Sequence, residues 1–448
     1  MTRATNLSAP RSRRAFATFM VLWAIALVAL VLVALQSSAF RQAAEGRETV
    51  ARIRAYWAAR AGVEAEIAAL TLNTLTPDTG SALTVTTDMD NVARADLGSA
   101  SYVIRHTDER GEVDGVEDAH AKLNVNTLDL EDLMLLDSMD ESTAQSILNW
   151  IHGVDESSTL GADAGAYTGL KYPYDPREAP VRSLAELELV TGVDPQVVRG
   201  EDWNFNGRLD PAEDDANGSW PPDNSDGVLQ AGWSKFLTAV SELGGMAASG
   251  QKRLDLKTAT VDDIASRLKV DRSQAQIIYD HAGTDSADLA DFVRTDLPDL
   301  ATSTTGTLLN GQSQNAQNLT RDQLRTLLDE AIIGDPRQAA PRSGKININT
   351  VSQETLERFS RIDVAVADAI IAERQARSGG FTSLLDLLSV PAVTTEVLAD
   401  LMAYFDVRSN VYVVTSRGRD KATGLEVEIQ ATLDRSSIPV VIRDLVVR

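Results

Sequence analysis

The chain has 448 residues, with Lys+Arg 42 against Asp+Glu 65, giving a formal net charge of −23. So acidic a surface repels phosphate and excludes ordinary nucleic-acid binding, which needs a basic footprint at physiological salt. Cysteine is absent, and the four histidines (His106, His120, His152, His281) are scattered, so disulfides and a Cys nucleophile are ruled out and a multi-His metal centre is disfavoured.

From Phe16 to Phe40 the stretch FATFMVLWAIALVALVLVALQSSAF carries no charge, and about 20 apolar residues span the hydrocarbon core as a helix. Arg11, Arg13 and Arg14 precede it; under the positive-inside rule they hold the N-terminus in the cytoplasm and leave everything after Arg41 outside. A cleaved signal peptide is the competing reading, with Ser37-Ser38-Ala39 as its small residues, but the apolar run exceeds a usual h-region. Arg41 to Leu72 contains no proline, so one helix is expected from Phe16 to about Leu70.

A long helix, half apolar, behind a short basic leader ending in a small residue resembles the type IV pilin-like proteins. The resemblance implies a leader of residues 1–15, a prepilin peptidase cut between Ala15 and Phe16, and methylation of the new terminus. Ala15 stands where that family usually has Gly, and Met20 where most members carry Glu. A carboxylate in hydrocarbon needs a partner, in this family thought to be the terminal amine of the subunit above. A subunit with Met20 has nothing to neutralise and is expected at the top of a filament.

Beyond the helix, Leu83–Thr87 and Ser101–His106 alternate apolar and polar residues and read as strands, with a turn from Asp108 to Gly115. Val411–Val414, Leu425–Leu433 and Ile438–Val447 read as three more. The expected fold is α+β: a pilin-like long helix and small antiparallel sheet, interrupted by a large α-helical domain with helix-hairpin-helix-like repeats. The divisions expected are 16–40 in the membrane, 41–118 as the rest of the helix and first strands, 119–406 as the insertion, and 407–448 as the closing strands.

The repeat opens three times, at Lys122-Leu-Asn-Val-Asn-Thr127, Arg253-Leu-Asp-Leu-Lys-Thr258 and Lys345-Ile-Asn-Ile-Asn-Thr350. Leu133, Ala144 and Ile147 recur at the same offsets as Ile264, Ala275 and Ile278, and as Leu356, Ala367 and Ile370. Thr127, Thr258 and Thr350 are expected as helix N-caps. The hairpins Ser138–Ser142, Lys269–Ser273 and Arg361–Ala365 contain no Gly, so the amide cradle that a DNA-binding version offers phosphate is missing, and a packing module is expected. Ser183 and Glu186 have the spacing of a capping box.

Glu201-Asp-Trp-Asn-Phe-Asn-Gly-Arg-Leu-Asp-Pro-Ala-Glu213 matches the EF-hand loop pattern. Asp202, Asn204 and Asn206 supply oxygens, Gly207 the sharp turn, Arg208 a backbone carbonyl, Asp210 a direct or water-mediated ligand, and Glu213 a bidentate carboxylate. An all-oxygen set of this size suits Ca2+ over Mg2+ or Zn2+. No second helix follows the loop, so a structural staple is expected in place of a sensor. Asp223, Ser225 and Asp226, with Asp215 and Asn217, are candidates for a second Ca2+ site, weighed against an acidic turn that merely faces water.

The leader, Met20, Val21-Leu22-Trp23, the Asn-x-Asn-Thr modules, the Pro173-Tyr174 to Leu187 segment and the Asp/Asn-rich loop together resemble the protein K family of large minor pseudopilins of type II secretion systems. Residues 282–341 depart from it and look like an elaboration or linker. The resemblance implies a non-enzymatic part, anchored once in the inner membrane with its bulk in the periplasm. It would bind Ca2+ and assemble with two other minor pseudopilins (GspI-like and GspJ-like) at the pseudopilus tip, where it starts and caps the fibre. A membrane-anchored helix-hairpin-helix DNA-uptake protein is the alternative, and would need glycine hairpins and a basic face. An exported hydrolase would need a nucleophile, base and acid motif, and none is visible.

Overall fold

A computed structural model describes residues 12–108, 111–154, 160–218, 220, 222–305, 317–334 and 344–448, with the side chains of residues 12–15 and 302–305 outside the description. Residues 1–11 of the expected leader therefore lie outside the described residues, as do the side chain of Ala15 at the expected cleavage site and most of the Thr302–Asn318 stretch.

Helix α1 runs from Ser12 to Leu75, a single helix of 64 residues and roughly 95 Å at 1.5 Å per residue. Its N-terminal part is exposed throughout Phe16–Phe40 and is long and apolar enough to cross a membrane. The C-terminal part is amphipathic: Ala51, Ala55, Ala58, Ala59, Val63, Glu66 and Leu70 are buried, and their spacing of three and four residues traces one face. From Ala51 to Ala59 that face is all alanine, which lets the helix lie close on a sheet.

The short helix α2 (Thr84–Val92) packs Val85 and Met89 inward. It replaces the strand expected at Leu83–Thr87. The alternation of Thr and Val suggested a period of two, but the two inward residues lie one helical turn apart, and burial between α1 and the sheet decided in favour of the helix.

The sheet has seven strands: β1 (Arg94–Asp96), β2 (Ala100–Asp108), β3 (Gly111–Asp114), β4 (Glu117–Asp118), β5 (Val411–Asp420), β6 (Glu426–Asp434) and β7 (Val441–Val447). Its order is β1-β2-β5-β6-β7, all antiparallel, with β3 on β2 and β4 on β5. The expected turn from Asp108 to Gly115 is thus largely the strand β3, which extends the hairpin. The ends of the chain meet in the middle, where Gly418 of β5 pairs with Tyr102 of β2. A Cβ on Gly418 would overlap the backbone of Ala55 and Ala59 in α1, and one on Gly62 would overlap Ser416 Oγ, with the Tyr102 ring 2.8 Å away. Glycines at these two positions set how closely helix and sheet approach.

Between β4 and β5 lie three helical pairs: Leu130–Leu133 with Glu141–His152, Val261–Leu268 with Arg272–Ala282, and Gln353–Leu356 with Val364–Ala376. All nine residues named at recurring offsets are buried in one continuous core, separate from the core under α1. The α+β expectation with helix-hairpin-helix-like units is what the structure has.

Each unit is closed by a two-residue parallel strand pair, Leu123–Asn124 with Leu237–Thr238, Leu254–Asp255 with Ala331–Ile332, and Ile346–Asn347 with Phe405–Asp406. In the first and third units the paired asparagines do the same work. Asn126 accepts from Val181 N (2.7 Å) and donates to Val181 O and Ala239 O; Asn349 accepts from Phe381 N (2.7 Å) and donates to Phe381 O and Val407 O. Asn124 and Asn347 donate to Ser241 and Ser409, both at 2.7 Å. In the second unit Asp255 accepts from Gly334 N instead, and Lys257 stands where the inner asparagine would be.

The threonines expected as N-caps are not caps. Asp129, Thr260 and Ser352, two residues further on, cap the helices, while Thr127 and Thr258 hydroxyls donate back to the carbonyls of Asn124 and Asp255, and Thr350 donates to Asp118 Oδ2. The turn made by the Asn or Asp at the motif's third position uses up those two residues before a helix can begin. The Ser183–Glu186 box does not form either. Ser183 accepts from Ala185 N, but Glu186 accepts from Arg182 N and Trp150 Nε1.

Two predictions follow from burial. Glu66 is fully buried with neither carboxyl oxygen hydrogen-bonded, and the negative charge of Asp90 opposes its ionisation. Burial favours its neutral form, so stability should fall as pH rises and the carboxyl is forced to ionise. Glu66→Gln should raise the denaturation midpoint of the detergent-solubilised chain, by more at pH 8 than at pH 5. Asn349→Ala removes three buried bonds and should cost about 2–3 kcal/mol, whereas Lys257→Ala at the equivalent place should cost little; urea titration compares the two.

Candidate functional site

The acidic loop is closed at its base by two glycines in the left-handed region, Gly200 (φ 60) and Gly232 (φ 54). A Cβ on Gly200 would overlap Gln230 O, and one on Gly232 would sit 2.5 Å from Val197 O. Glu201 N donates to Gln230 O at 2.7 Å, and the buried Glu201 carboxylate accepts from Asn224 N and Gln230 N.

Within the loop the candidate ligands are brought together by their own turn. Asp202 Oδ1 and Oδ2 accept from Asn206 N and Gly207 N, both at 2.9 Å. Asn204 Oδ1 also accepts from Asn206 N (2.8 Å), and Asn206 Oδ1 accepts from Arg208 N (2.8 Å). Gly207, at φ 69, makes the turn an L-residue resists. Asp210 Oδ2 accepts from the side-chain amides of Asn204 and Asn206, both at 2.9 Å. Glu213 spans the loop, accepting from Trp203 N and Asp210 N, both at 3.0 Å. The Arg208 side chain points away to Glu112 (Nε to Oε1 2.6 Å), leaving its carbonyl as the relevant group.

Electrostatically the loop is short of positive charge. Burial pushes the Asp202 carboxyl up to about 6, with Lys122 as a distant favourable charge and Glu117 opposing it. Burial pushes Glu213 up to about 7, and the charges acting on it, Asp202 and Asp210, are both negative. Asp210 is held below the usual carboxylate range by Arg417 and the two asparagine amides, which outweigh its burial.

Among the described residues no group of three or more His, Cys, Asp or Glu is arranged to hold a metal on its own. The loop's oxygens are of mixed kind: carboxylates from Asp202, Asp210 and Glu213, amide oxygens from Asn204 and Asn206, and the Arg208 carbonyl. That chemistry fits a hard divalent cation, and two buried carboxylates without a close cationic partner fit it as well.

The second group is placed differently. Asp223 accepts from the backbone N–H of Ala216, Ser225 and Asp215, and lies below its usual range through those bonds. Asp226 accepts from Val228 N and from the side chains of Asn224 and Gln230, and Ser225 Oγ donates to Asp214 O. Their oxygens organise exposed turns. A cavity of about 80 Å3 among the helical units has Arg253, Lys345 and Arg408 facing Asp288, Asp329 and Asp406, a set whose charges balance internally.

What sequence reasoning missed is the surface the loop rests on. In β5 and β6 the residues facing α1 are Ser416, Gly418, Ile429 and Ala431; those on the opposite face, Thr415, Arg417, Glu428 and Gln430, meet the loop. Thr415 Oγ1 donates to Asn206 O (3.1 Å), Arg417 Nη2 to Asp210 Oδ1 (2.7 Å), Gln430 Nε2 to Phe205 O (2.5 Å), and Asn206 Nδ2 to Glu428 Oε1 (3.2 Å). Arg448 Nη2 adds a bond to Asn204 O at 2.6 Å. The signal that could have found it is the alternation of polar residues with small or apolar ones along β5 and β6, which gives the sheet a second, polar face.

Residues 113–200 match the family model for type II secretion system protein K, and residues 342–405 match that for the helix-hairpin-helix motif. No curated protein matches the chain significantly. Among solved structures, the GspK-GspI-GspJ complex from the type 2 secretion system of enterotoxigenic Escherichia coli contains a chain that aligns over 90% of this one and 99% of its own length, at 13% identity and a TM-score of 0.44. Residues 113–200 thus form a domain similar to that of type II secretion system protein K, and residues 342–405 a segment similar to the helix-hairpin-helix motif.

Proposed function

We infer that this chain is a minor pseudopilin of a type II secretion system, that it sits in the inner membrane through Phe16–Phe40 with its bulk in the periplasm, and that it initiates and caps the pseudopilus tip together with two other minor pseudopilins. The observation that carries the placement is the helix itself. From Phe16 to Ala44 it holds no acidic residue, Met20 lies exposed in its apolar half, and the first carboxylate is Glu45. A subunit needs a buried acid only to receive the terminal amine of a neighbour above it; this one offers none. The helical units, seated on the sheet, add bulk that would obstruct another subunit there. Cleavage at Ala15/Phe16 by prepilin peptidase and methylation of Phe16 belong to the same proposal.

The helix-hairpin-helix match does not favour DNA uptake. The hairpins Ser138–Ser142, Lys269–Ser273 and Arg361–Ala365 contain no glycine to let backbone amides approach a phosphate closely, and the net charge of −23 opposes a polyanion.

Because the chain contains no cysteine, single-cysteine variants at exposed Val50 and Trp57 allow clean cross-linking in membranes. Adducts are expected with other minor pseudopilins on one axial side only; adducts on both sides would place the subunit within the shaft and defeat the proposal.

Ca2+ is proposed for the Asp202–Glu213 loop as a structural staple. Adding 1 mM Ca2+ to the full chain in detergent micelles should raise its melting temperature by several degrees, since a ligand at about 100-fold its Kd contributes roughly 2.7 kcal/mol. Asp202→Ala combined with Glu213→Ala should abolish the rise. An unchanged melting temperature in the parent chain would remove the ion from the account.

A further inference from the structure

Asp210 faces two ways. Its Oδ2 points into the loop, where Asn204 and Asn206 donate to it at 2.9 Å, and its Oδ1 points out to Arg417 Nη2 at 2.7 Å. Arg417 in turn reaches Glu428 Oε2 through Nη2 (2.7 Å) and Nε (3.1 Å), directly across the strand pair, where Arg417 is registered opposite Glu428. Glu428 closes the ring by accepting from Asn206 Nδ2 at 3.2 Å. Asn206 and Glu428 are buried. With its amide nitrogen engaged by Glu428 and Asp210, Asn206 must present its oxygen to the loop interior, where it accepts from Arg208 N.

Building on the Ca2+ reading of this loop, we propose that Arg417 and Glu428 are positioning residues for the cation, and that cation binding and the docking of the helical insertion on the β5–β6 face are one coupled equilibrium. Two of the loop's side-chain ligands, Asn206 and Asp210, are held from outside by the sheet. Groups that orient ligands in this way are worth about 10- to 100-fold in metal affinity. Coupling is reciprocal: whatever the cation adds to docking, docking adds to the cation's affinity.

Charge and orientation make opposite predictions for Arg417. As a positive group about one side chain from the site, it should by charge alone weaken cation binding, and its removal should tighten it. If it acts by orienting Asp210, its removal should loosen binding. Glu428 offsets its charge and leaves orientation as the larger effect.

The test uses the full chain in detergent micelles, with Ca2+ titrated calorimetrically and amide exchange followed with and without Ca2+. Arg417→Ala is expected to raise the Kd about tenfold or more, and Arg417→Lys, which keeps the charge but lacks the planar fork, to raise it as well. In the parent, Ca2+ should slow exchange in Val411–Asp434 more than in Val261–Ala282, and Arg417→Ala should erase that difference. A Kd unchanged or lowered in Arg417→Ala, or equal slowing in the two segments, overturns the coupling. Should Arg417→Ala not fold, Glu428→Gln is read by the same two measurements. Absence of any Ca2+ heat from the parent chain defeats the site itself, and the coupling with it.

Discussion

A β-strand sends successive side chains to opposite faces, and in the central strand β5 that alternation organises the part of the molecule beyond the apolar span. Ser416 and Gly418 face α1; Thr415 and Arg417 face the acidic loop. The first contact is apolar and close, because Gly418 and Gly62 carry no side chain where helix and sheet meet. The second is polar, a set of hydrogen bonds and the Arg417 pairs with Asp210 and Glu428. A register slip of one residue would exchange the two faces, presenting Arg417 to the alanines of α1. The sheet therefore holds together two parts of different chemistry, a helix that continues into the exposed apolar span and an insertion of helical units.

The join between them is also covalently close to the sheet. Asp118, the last residue of β4, accepts from Asn347 Nδ2, Thr350 Oγ1 and Ser409 Oγ, so the strand that leads into the insertion is tied to its third unit and, through Ser409, to the segment that leads out of it. Chain entry and exit lie side by side, which is the geometry that lets a long insertion be accepted in a small domain at little cost in closure entropy.

Inside the insertion the same local solution appears three times with different chemistry. Where two strands of two residues each are the whole sheet, backbone pairing is too short to hold the unit, and side-chain amides supply the missing bonds in the first and third units. The second unit has Asp255 and Lys257 at those positions and secures its exit with Asp255 to Gly334 N, with Arg267 and Glu330 joining helix to helix. The apolar positions are uniform across all three because close packing tolerates little change in volume, while the polar clamp tolerates a change of partner.

The sequence by itself determined the elements whose signal is local and long: the apolar span, the helix that continues it, the last three strands, the repeated apolar offsets of the helical units, and the turn that gathers Asp202 to Glu213. These rest on periodicity, on turn residues at fixed offsets, and on composition, all of which act between neighbours in the chain. Tertiary structure decided the rest. Leu83–Thr87 became a helix because one of its faces had to be buried; Thr127, Thr258 and Thr350 yielded the cap to residues two places on because the preceding Asn or Asp turned the backbone first; Glu186 went to Arg182 N and Trp150. The support of the acidic loop by Arg417 and Glu428 was out of reach of any window along the chain. Those residues lie more than two hundred positions from Asp210, and only the closure of the sheet from both ends of the polypeptide brings them within hydrogen-bond distance.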